Sequence, residues 1–79
     1  MKQGYTLYFL TEKAKNLELN KVNYLTEKEK SIIEVLRDKA LNVNELNNQL
    51  ANNKVFMHNV TLKSILISLN EEGWVKIRW

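Results

Sequence analysis

Residues 60–79, VTLKSILISLNEEGWVKIRW, predict a helix that ends at a glycine and a strand that follows at once. The apolar residues recur at the three- and four-residue spacing of one helix face, as Leu62, Ile65, Leu66 and Leu69. Gly73 is placed to end the helix in the left-handed conformation, with Trp74 folding back onto Leu69. Beyond the glycine, apolar and basic residues alternate, with Val75, Ile77 and Trp79 against Lys76 and Arg78. The alternation predicts a half-buried strand with a basic outer face.

The composition describes a single small domain that lacks the residues of familiar catalytic sites. The chain has 79 residues, of which 44% are hydrophobic, and no cysteine, which indicates a folded intracellular, cytoplasmic protein. It has one histidine, His58, one aspartate, Asp38, and two glycines, so no histidine metal cluster, Ser-His-Asp triad or glycine-rich phosphate loop is expected. The apolar N-terminal stretch is too short to span a membrane. We expect a non-enzyme without metal, cofactor or small-molecule substrate.

Upstream of residue 60 the sequence predicts one strand and three helices. Residues 5–10, YTLYFL, predict a strand that is apolar on both faces. Thr11 is placed to cap a short helix that runs through Leu19. Two capping boxes, Thr26 with Glu29 and Asn42 with Glu45, predict the starts of two longer helices. The first of these carries an apolar stripe of Ile32, Ile33, Leu36 and Ala40, and the second carries Leu46 and Leu50. A turn over 52–59 then leads into the last helix, which we expect to reach about Glu72.

These segments together resemble a known family. Residues 25–50 and 60–77 resemble the DNA-binding half of winged helix-turn-helix repressors, most of all the penicillinase-repressor type, whose turn between helices two and three is also longer than usual. The end of the match is carried by Thr61-Leu62, Ile65-Leu66, Leu69, Asn70-Glu71-Glu72 and Gly73. The resemblance implies a mainly α domain with a small β-sheet, and a transcriptional regulator that binds double-stranded DNA. Its third helix would lie in the major groove, with the wing on the backbone.

The chain departs from this family at both ends. It stops at Trp79 after one wing strand, and it lacks the C-terminal dimerisation region of such repressors. Residues 5–17, YTLYFLTEKAKNL, resemble what usually follows a wing, namely a returning strand and a helix. We therefore expect a single domain, 1–79, in which an extension, 1–24, precedes the helix-turn-helix and wing strand, 25–79. The strand of the extension is expected to pair antiparallel with residues 74–79.

The resemblance and the apolar spacing also select candidate DNA-binding residues. With the apolar stripe turned inward, the outer face of the third helix would meet DNA, Asn59 bonding adenine and Lys63 guanine or phosphate. The preceding turn and the wing strand would contact the backbone. The predicted DNA-binding residues are Lys54, His58, Asn59, Thr61, Lys63, Ser64, Ser68, Lys76 and Arg78. For each of them the alternative is a side chain that merely faces solvent.

A second function is also compatible with the same face. Lys63 is the one basic residue on it, whereas Val60 and Ile67, seven residues apart, are apolar. Such side chains fit thymine methyl groups, but they also fit a protein partner. The net charge of +3 is modest, although residues 53–79 carry an excess of two positive charges. The alternative function is therefore a winged-helix module for protein–protein interaction without DNA binding.

We expect a homodimer, because one small domain reads few base pairs and the N-terminal strand and helix carry more apolar surface than one wing needs. The predicted dimer interface consists of Tyr8, Leu10, Leu17, Leu19, Val22 and Tyr24.

Overall fold

The computed structural model describes residues 6–18 and 21–78. Within this part of the chain, four helices pack beside a two-stranded antiparallel sheet, which makes the protein a small α+β domain, as the sequence predicted. The elements in chain order are β1 (Leu7–Leu10), α1 (Glu12–Lys15), α2 (Glu27–Leu36), α3 (Val43–Asn52), α4 (Asn59–Glu71) and β2 (Val75–Arg78).

The sheet joins the two ends of the described chain. β1 pairs antiparallel with β2, so that Leu7 lies opposite Arg78 and Leu10 opposite Val75. This confirms the predicted pairing of the N-terminal and C-terminal strands, although Tyr5 and Trp79 lie outside the described residues. The other edge of β1 is also used, because Tyr8 and Leu41 exchange backbone hydrogen bonds of 2.8 and 3.1 Å. β1 is therefore central, between β2 and the residue that precedes α3.

The helix starts follow local side-chain chemistry. In α2 the Thr26 hydroxyl accepts the Glu29 amide and the Glu29 carboxylate accepts the Thr26 amide, and Asn42 and Glu45 do the same for α3, so both predicted capping boxes are confirmed. Thr11 caps α1 as predicted.

The helix ends depend more on the rest of the molecule. α1 ends at Lys15 instead of continuing through Leu19, which lies outside the described residues. α2 ends at Leu36, and the expected inward position of Ala40 is wrong, because Ala40 is exposed in the connection that follows. That connection brings Leu41 into its backbone bridge with β1. The bridge cannot form if the helix continues, and it ends the helical pattern early.

α4 ends in a Schellman motif, as the sequence predicted. Gly73 has a φ of 85°, its amide donates to the Asn70 carbonyl at 3.1 Å, and the Trp74 amide donates to the Leu69 carbonyl at 2.9 Å. Leu69 and Trp74 are both buried in the core. The motif turns the chain directly from α4 into β2.

α3 ends in the same motif, but with a lysine at the left-handed position. Lys54 has a φ of 66°, its amide donates to the Ala51 carbonyl at 2.9 Å, and the Val55 amide donates to the Leu50 carbonyl at 2.8 Å. A residue with a Cβ is strained in this conformation. The turn that leads into α4 therefore begins at a strained lysine.

One apolar core connects all of these elements, and no polar or charged residue of the described chain is buried in it. Burial in this core raises the pKa of the Tyr8 hydroxyl above its usual value, because the phenolate is poorly solvated there. The core residues are Tyr8, Leu10, Ala14, Val22, Leu25, Ile32, Ile33, Leu36, Leu41, Leu46, Leu50, Leu62, Leu66, Leu69, Trp74 and Val75.

Two side chains of the segment after β1 form hydrogen bonds with the end of α4. The Thr11 hydroxyl donates to the Gly73 carbonyl at 2.7 Å. The Lys13 ammonium donates to the Glu72 carbonyl at 3.0 Å and lies 4.1 Å from the centre of the Trp74 ring. A cation at this place interacts favourably with the negative end of the α4 dipole and with the aromatic ring. The N-terminal segment thus fixes the junction between α4 and β2.

Candidate nucleic-acid interface

The face of α4 that points away from the core is open to solvent. Leu62, Leu66 and Leu69 are at most 1% exposed and turn inward, with Ile65 partly buried beside them, as the spacing predicted. On the opposite side, Val60 and Ile67 are 77% and 53% exposed. The predicted DNA-facing residues Thr61, Lys63, Ser64 and Ser68 are all exposed as well. This face is available to a partner along the whole helix.

Asn59 is exposed too, but its amide group is already engaged. Its oxygen accepts a hydrogen bond from the Asn47 amide at 2.6 Å, and its nitrogen donates to the Asn44 oxygen at 3.2 Å. The Asn47 nitrogen also donates to the Met57 carbonyl at 3.1 Å. The expected bidentate bond from Asn59 to adenine would compete with both side-chain bonds. In this structure Asn59 holds the start of α4 against α3 instead.

The asparagine network was not recognised in the sequence. The available signal was the three-residue spacing of Asn44 and Asn47, which places both on one side of α3. Which side of α3 meets the start of α4 depends on the path of the long turn, and the local pattern does not specify that path.

Two of the predicted phosphate contacts, Lys54 and His58, precede the start of α4. His58 is the N-cap residue, is exposed, and makes no side-chain hydrogen bond to the first turn. No His58 side-chain bond therefore caps the first-turn amides, which form the positive end of the helix dipole. Lys54 is exposed in the preceding turn, at the strained left-handed position. Beside them, Phe56 is 71% exposed, a feature that the sequence analysis did not single out.

The outer face of the sheet combines cations with apolar side chains. Lys76 and Arg78 are exposed on β2, while Val75 is fully buried and Ile77 partly buried, as the alternation predicted. Phe9 lies opposite Lys76 and Leu7 opposite Arg78, and both are half-buried. The β1 strand is therefore covered by the core on the Tyr8 and Leu10 side and partly open on the other.

Four of the predicted DNA-binding residues are exposed cations, namely Lys54, Lys63, Lys76 and Arg78. Among the described residues, none of the four has a carboxylate partner within ion-pair distance. Their charges are therefore not neutralised within the described part of the chain.

The structure corrects the predicted dimer interface. Tyr8, Leu10 and Val22 are at most 8% exposed and belong to the core of the chain itself, so they do not form a surface for a second copy. Leu17 is partly buried against that core, and Leu19 lies outside the described residues. Tyr24 is 64% exposed, and its ring stacks on Trp74 with the centroids 6.3 Å apart. The apolar pattern of the N-terminal segment therefore reflects burial within the chain.

The described residues also lack two kinds of site that would suggest other functions. No group of three or more His, Cys, Asp or Glu side chains is arranged to hold a metal ion there. None of the helices in that part of the chain has the length and apolar character needed to cross a membrane.

Comparison of the chain with models of known protein families, with curated proteins and with solved structures found no match.

Proposed function

We propose that the protein is a winged-helix transcriptional regulator that binds double-stranded DNA sequence-specifically, with α4 in the major groove and the sheet as its wing on the backbone. The observation that carries the proposal is the strand order. β1 lies between β2 and Leu41, and β2 follows directly from α4. Residues 5–17 resemble the returning strand and helix that usually follow a wing. The antiparallel pairing of β1 with β2 supports a wing that β1 completes from the other end of the chain.

Exposure and charge support the same function. A recognition helix needs an outer face free of packing, and α4 has one from Val60 to Ser68. DNA also needs cations for its phosphates, and four unneutralised cations lie on the turn before α4, on α4 and on β2. The open N-terminus of α4 adds amide donors for a phosphate.

A salt titration of duplex binding tests this function. If the four cations each contact one phosphate, the logarithm of the binding constant should fall with the logarithm of the salt concentration with a slope of about −3.6. Lys63→Ala, Lys76→Ala and Arg78→Ala should each reduce the steepness by about 1. Lys39→Ala removes an exposed lysine between α2 and α3 that we do not place on DNA, and it should leave the slope unchanged.

The alternative, a winged-helix module for protein–protein interaction without DNA binding, draws on a different observation. Phe56, Val60 and Ile67 are large apolar side chains that are each more than half exposed. Surfaces of this kind are common at protein interfaces. Failure to bind any duplex at low salt would reject the DNA-binding proposal and favour this function.

A homodimer stays part of the proposal, since two copies would read two half-sites. The interface residues that remain for it are Tyr24 and, in part, Leu17. Sedimentation of the protein at tens of micromolar, roughly the range of modest dimers, measures the association directly.

A further inference from the structure

The centre of the outer face of α4 is apolar. An α-helix turns through about 100° per residue, so Val60 and Ile67, seven residues apart, project within about 20° of each other. Ser64 projects about 40° from Val60 and about 60° from Ile67. We call these three residues the outer stripe. It lies on the side of α4 opposite Leu62, Leu66 and Leu69, which pack into the core. A groove entered by α4 would meet the outer stripe first.

The outer stripe has little capacity to read bases through hydrogen bonds. Ser64 supplies a single hydroxyl, and the methyl groups of Val60 and Ile67 supply none. Asn59, the residue best suited to adenine, holds Asn44 and Asn47 instead. The base edge that offers an apolar surface in the major groove is that of thymine, through its C5 methyl group.

Resting on the DNA-binding function proposed above, we propose that the outer stripe recognises thymine methyl groups and that the protein selects duplexes rich in A·T pairs. Seven residues of helix span about 10 Å, which matches about three base-pair steps of 3.4 Å. Val60 and Ile67 therefore contact thymines about three base pairs apart. The hydroxyl of Ser64 lies between them.

The charges around the outer stripe favour DNA over a protein as its occupant. Lys63 lies three residues after Val60 and four before Ile67, so it neighbours both apolar residues on the helix surface. Lys54 precedes the helix, and Lys76 and Arg78 follow it on β2. A DNA duplex can place its phosphates near these cations while its major groove contacts the apolar residues.

The test compares duplexes that differ only in the methyl group. Binding is measured by fluorescence anisotropy to an alternating dA·dT duplex of two helical turns and to the same duplex with every thymine replaced by uracil. Each methyl contact is expected to contribute about fourfold in affinity, which corresponds to about 0.8 kcal/mol per buried methylene-sized group, so two contacts give about fifteenfold. An alternating duplex of dG and 5-methyl-dC, which carries a methyl group at the same groove position, should bind more tightly than unmethylated dG·dC.

Variants connect this preference to the outer stripe. Val60→Ala and Ile67→Ala should each reduce the thymine-to-uracil affinity ratio to about fourfold, and the double variant should bring it to about one. Lys63→Ala is the matched control on the same face. It should weaken binding to both duplexes by the same factor and leave the ratio unchanged, because a phosphate contact does not sense the methyl group.

The outcomes separate the two proposals. Equal affinity for the thymine and uracil duplexes, with salt-dependent binding to both, would overturn the thymine inference and leave the DNA-binding function standing. A ratio that persists in the double variant would also overturn it, because the methyl groups would then be read elsewhere. Absence of binding to every duplex at low salt would overturn both and assign the outer stripe to a protein partner.

Discussion

Lys54 and Gly73 occupy the same position after two different helices, the left-handed residue of a Schellman motif. Glycine adopts this conformation without strain, whereas a side chain there costs about 1–2 kcal/mol, partly offset by the greater chain entropy that glycine loses on folding. Lys54→Gly should therefore raise the free energy of unfolding by about 0.5–1 kcal/mol. Urea denaturation measures the difference.

Gly73→Ala is the matched comparison and should lower the free energy of unfolding by about 1 kcal/mol. A Cβ at this position would lie 3.6 Å from the Lys13 ammonium, an ordinary contact, so the loss should come from the backbone conformation and not from a clash. Equal stability of Lys54→Gly and the parent protein would show that the lysine conformation carries no strain.

Individual residues also show how much of the structure a local sequence pattern can predict. The sequence predicted that Gly73 would be left-handed, because a glycine there ends an apolar helical pattern. It did not predict Lys54 in this role, because nothing about a lysine indicates a positive φ. Likewise, the outward position of Asn59 followed from periodicity, but its bonds to Asn44 and Asn47 join two helices and depend on how those helices pack.

Among the elements, the short helix α1 has a role beyond its own four residues. The Thr11 hydroxyl both accepts the Ala14 amide at 3.3 Å and donates to the Gly73 carbonyl at 2.7 Å, so one side chain caps α1 and anchors the end of α4. Thr11→Val keeps the shape and removes both hydrogen bonds. We expect it to lower the free energy of unfolding by about 1–2 kcal/mol, measured by thermal or urea denaturation.

Thr11→Ser is the control for this prediction, since it keeps the hydroxyl and should cost clearly less than the valine variant. A valine variant that is as stable as the parent protein would show that the two hydroxyl bonds contribute nothing to stability.

Element starts were predicted well and element ends less well. The capping boxes at Thr26 and Asn42 act within four residues, so the sequence contains all the necessary information. The end of α2 at Leu36 is different, because the chain leaves the helix to bring Leu41 to β1. That pairing joins residues far apart in sequence, and no local pattern around Ala40 indicates it.

Over the whole molecule, the described part of the N-terminal segment, 1–24, belongs to the same core as residues 25–79. It supplies Tyr8, Leu10 and Val22 to the core. At about 2 kcal/mol for each large buried side chain, their loss is comparable with the total stability of a small domain, about 5–15 kcal/mol. Removing the segment also leaves β2 without its partner strand, β1. We therefore expect a fragment of residues 25–79 to show no cooperative thermal unfolding.

Adding a synthetic peptide of residues 1–24 to this fragment should restore a cooperative transition, detected by circular dichroism. Cooperative unfolding of the fragment alone, at the temperature of the full chain, would show that the N-terminal segment is dispensable.

The N-terminal segment also shows what an apolar sequence pattern cannot predict. Residues 5–10 are apolar on both faces, and the sequence correctly predicted that this strand would pair with the C-terminal one. From the same pattern we also expected a surface for a second copy. Apolar spacing predicts that a side chain is buried, but it does not predict which part of the molecule buries it. Tyr8 and Leu10 are buried in the core of their own chain.

The pairing of β1 with β2 has a consequence for synthesis on the ribosome. β1 is made early and its partner late, with about 65 residues between Leu10 and Val75. At roughly 5–20 residues per second, translation of this interval takes about 3–13 seconds. Throughout that time Tyr8 and Leu10 lack their partner strand. A chain interrupted before Val75 would never acquire that partner, so this edge of β1 can be paired only after β2 has been made.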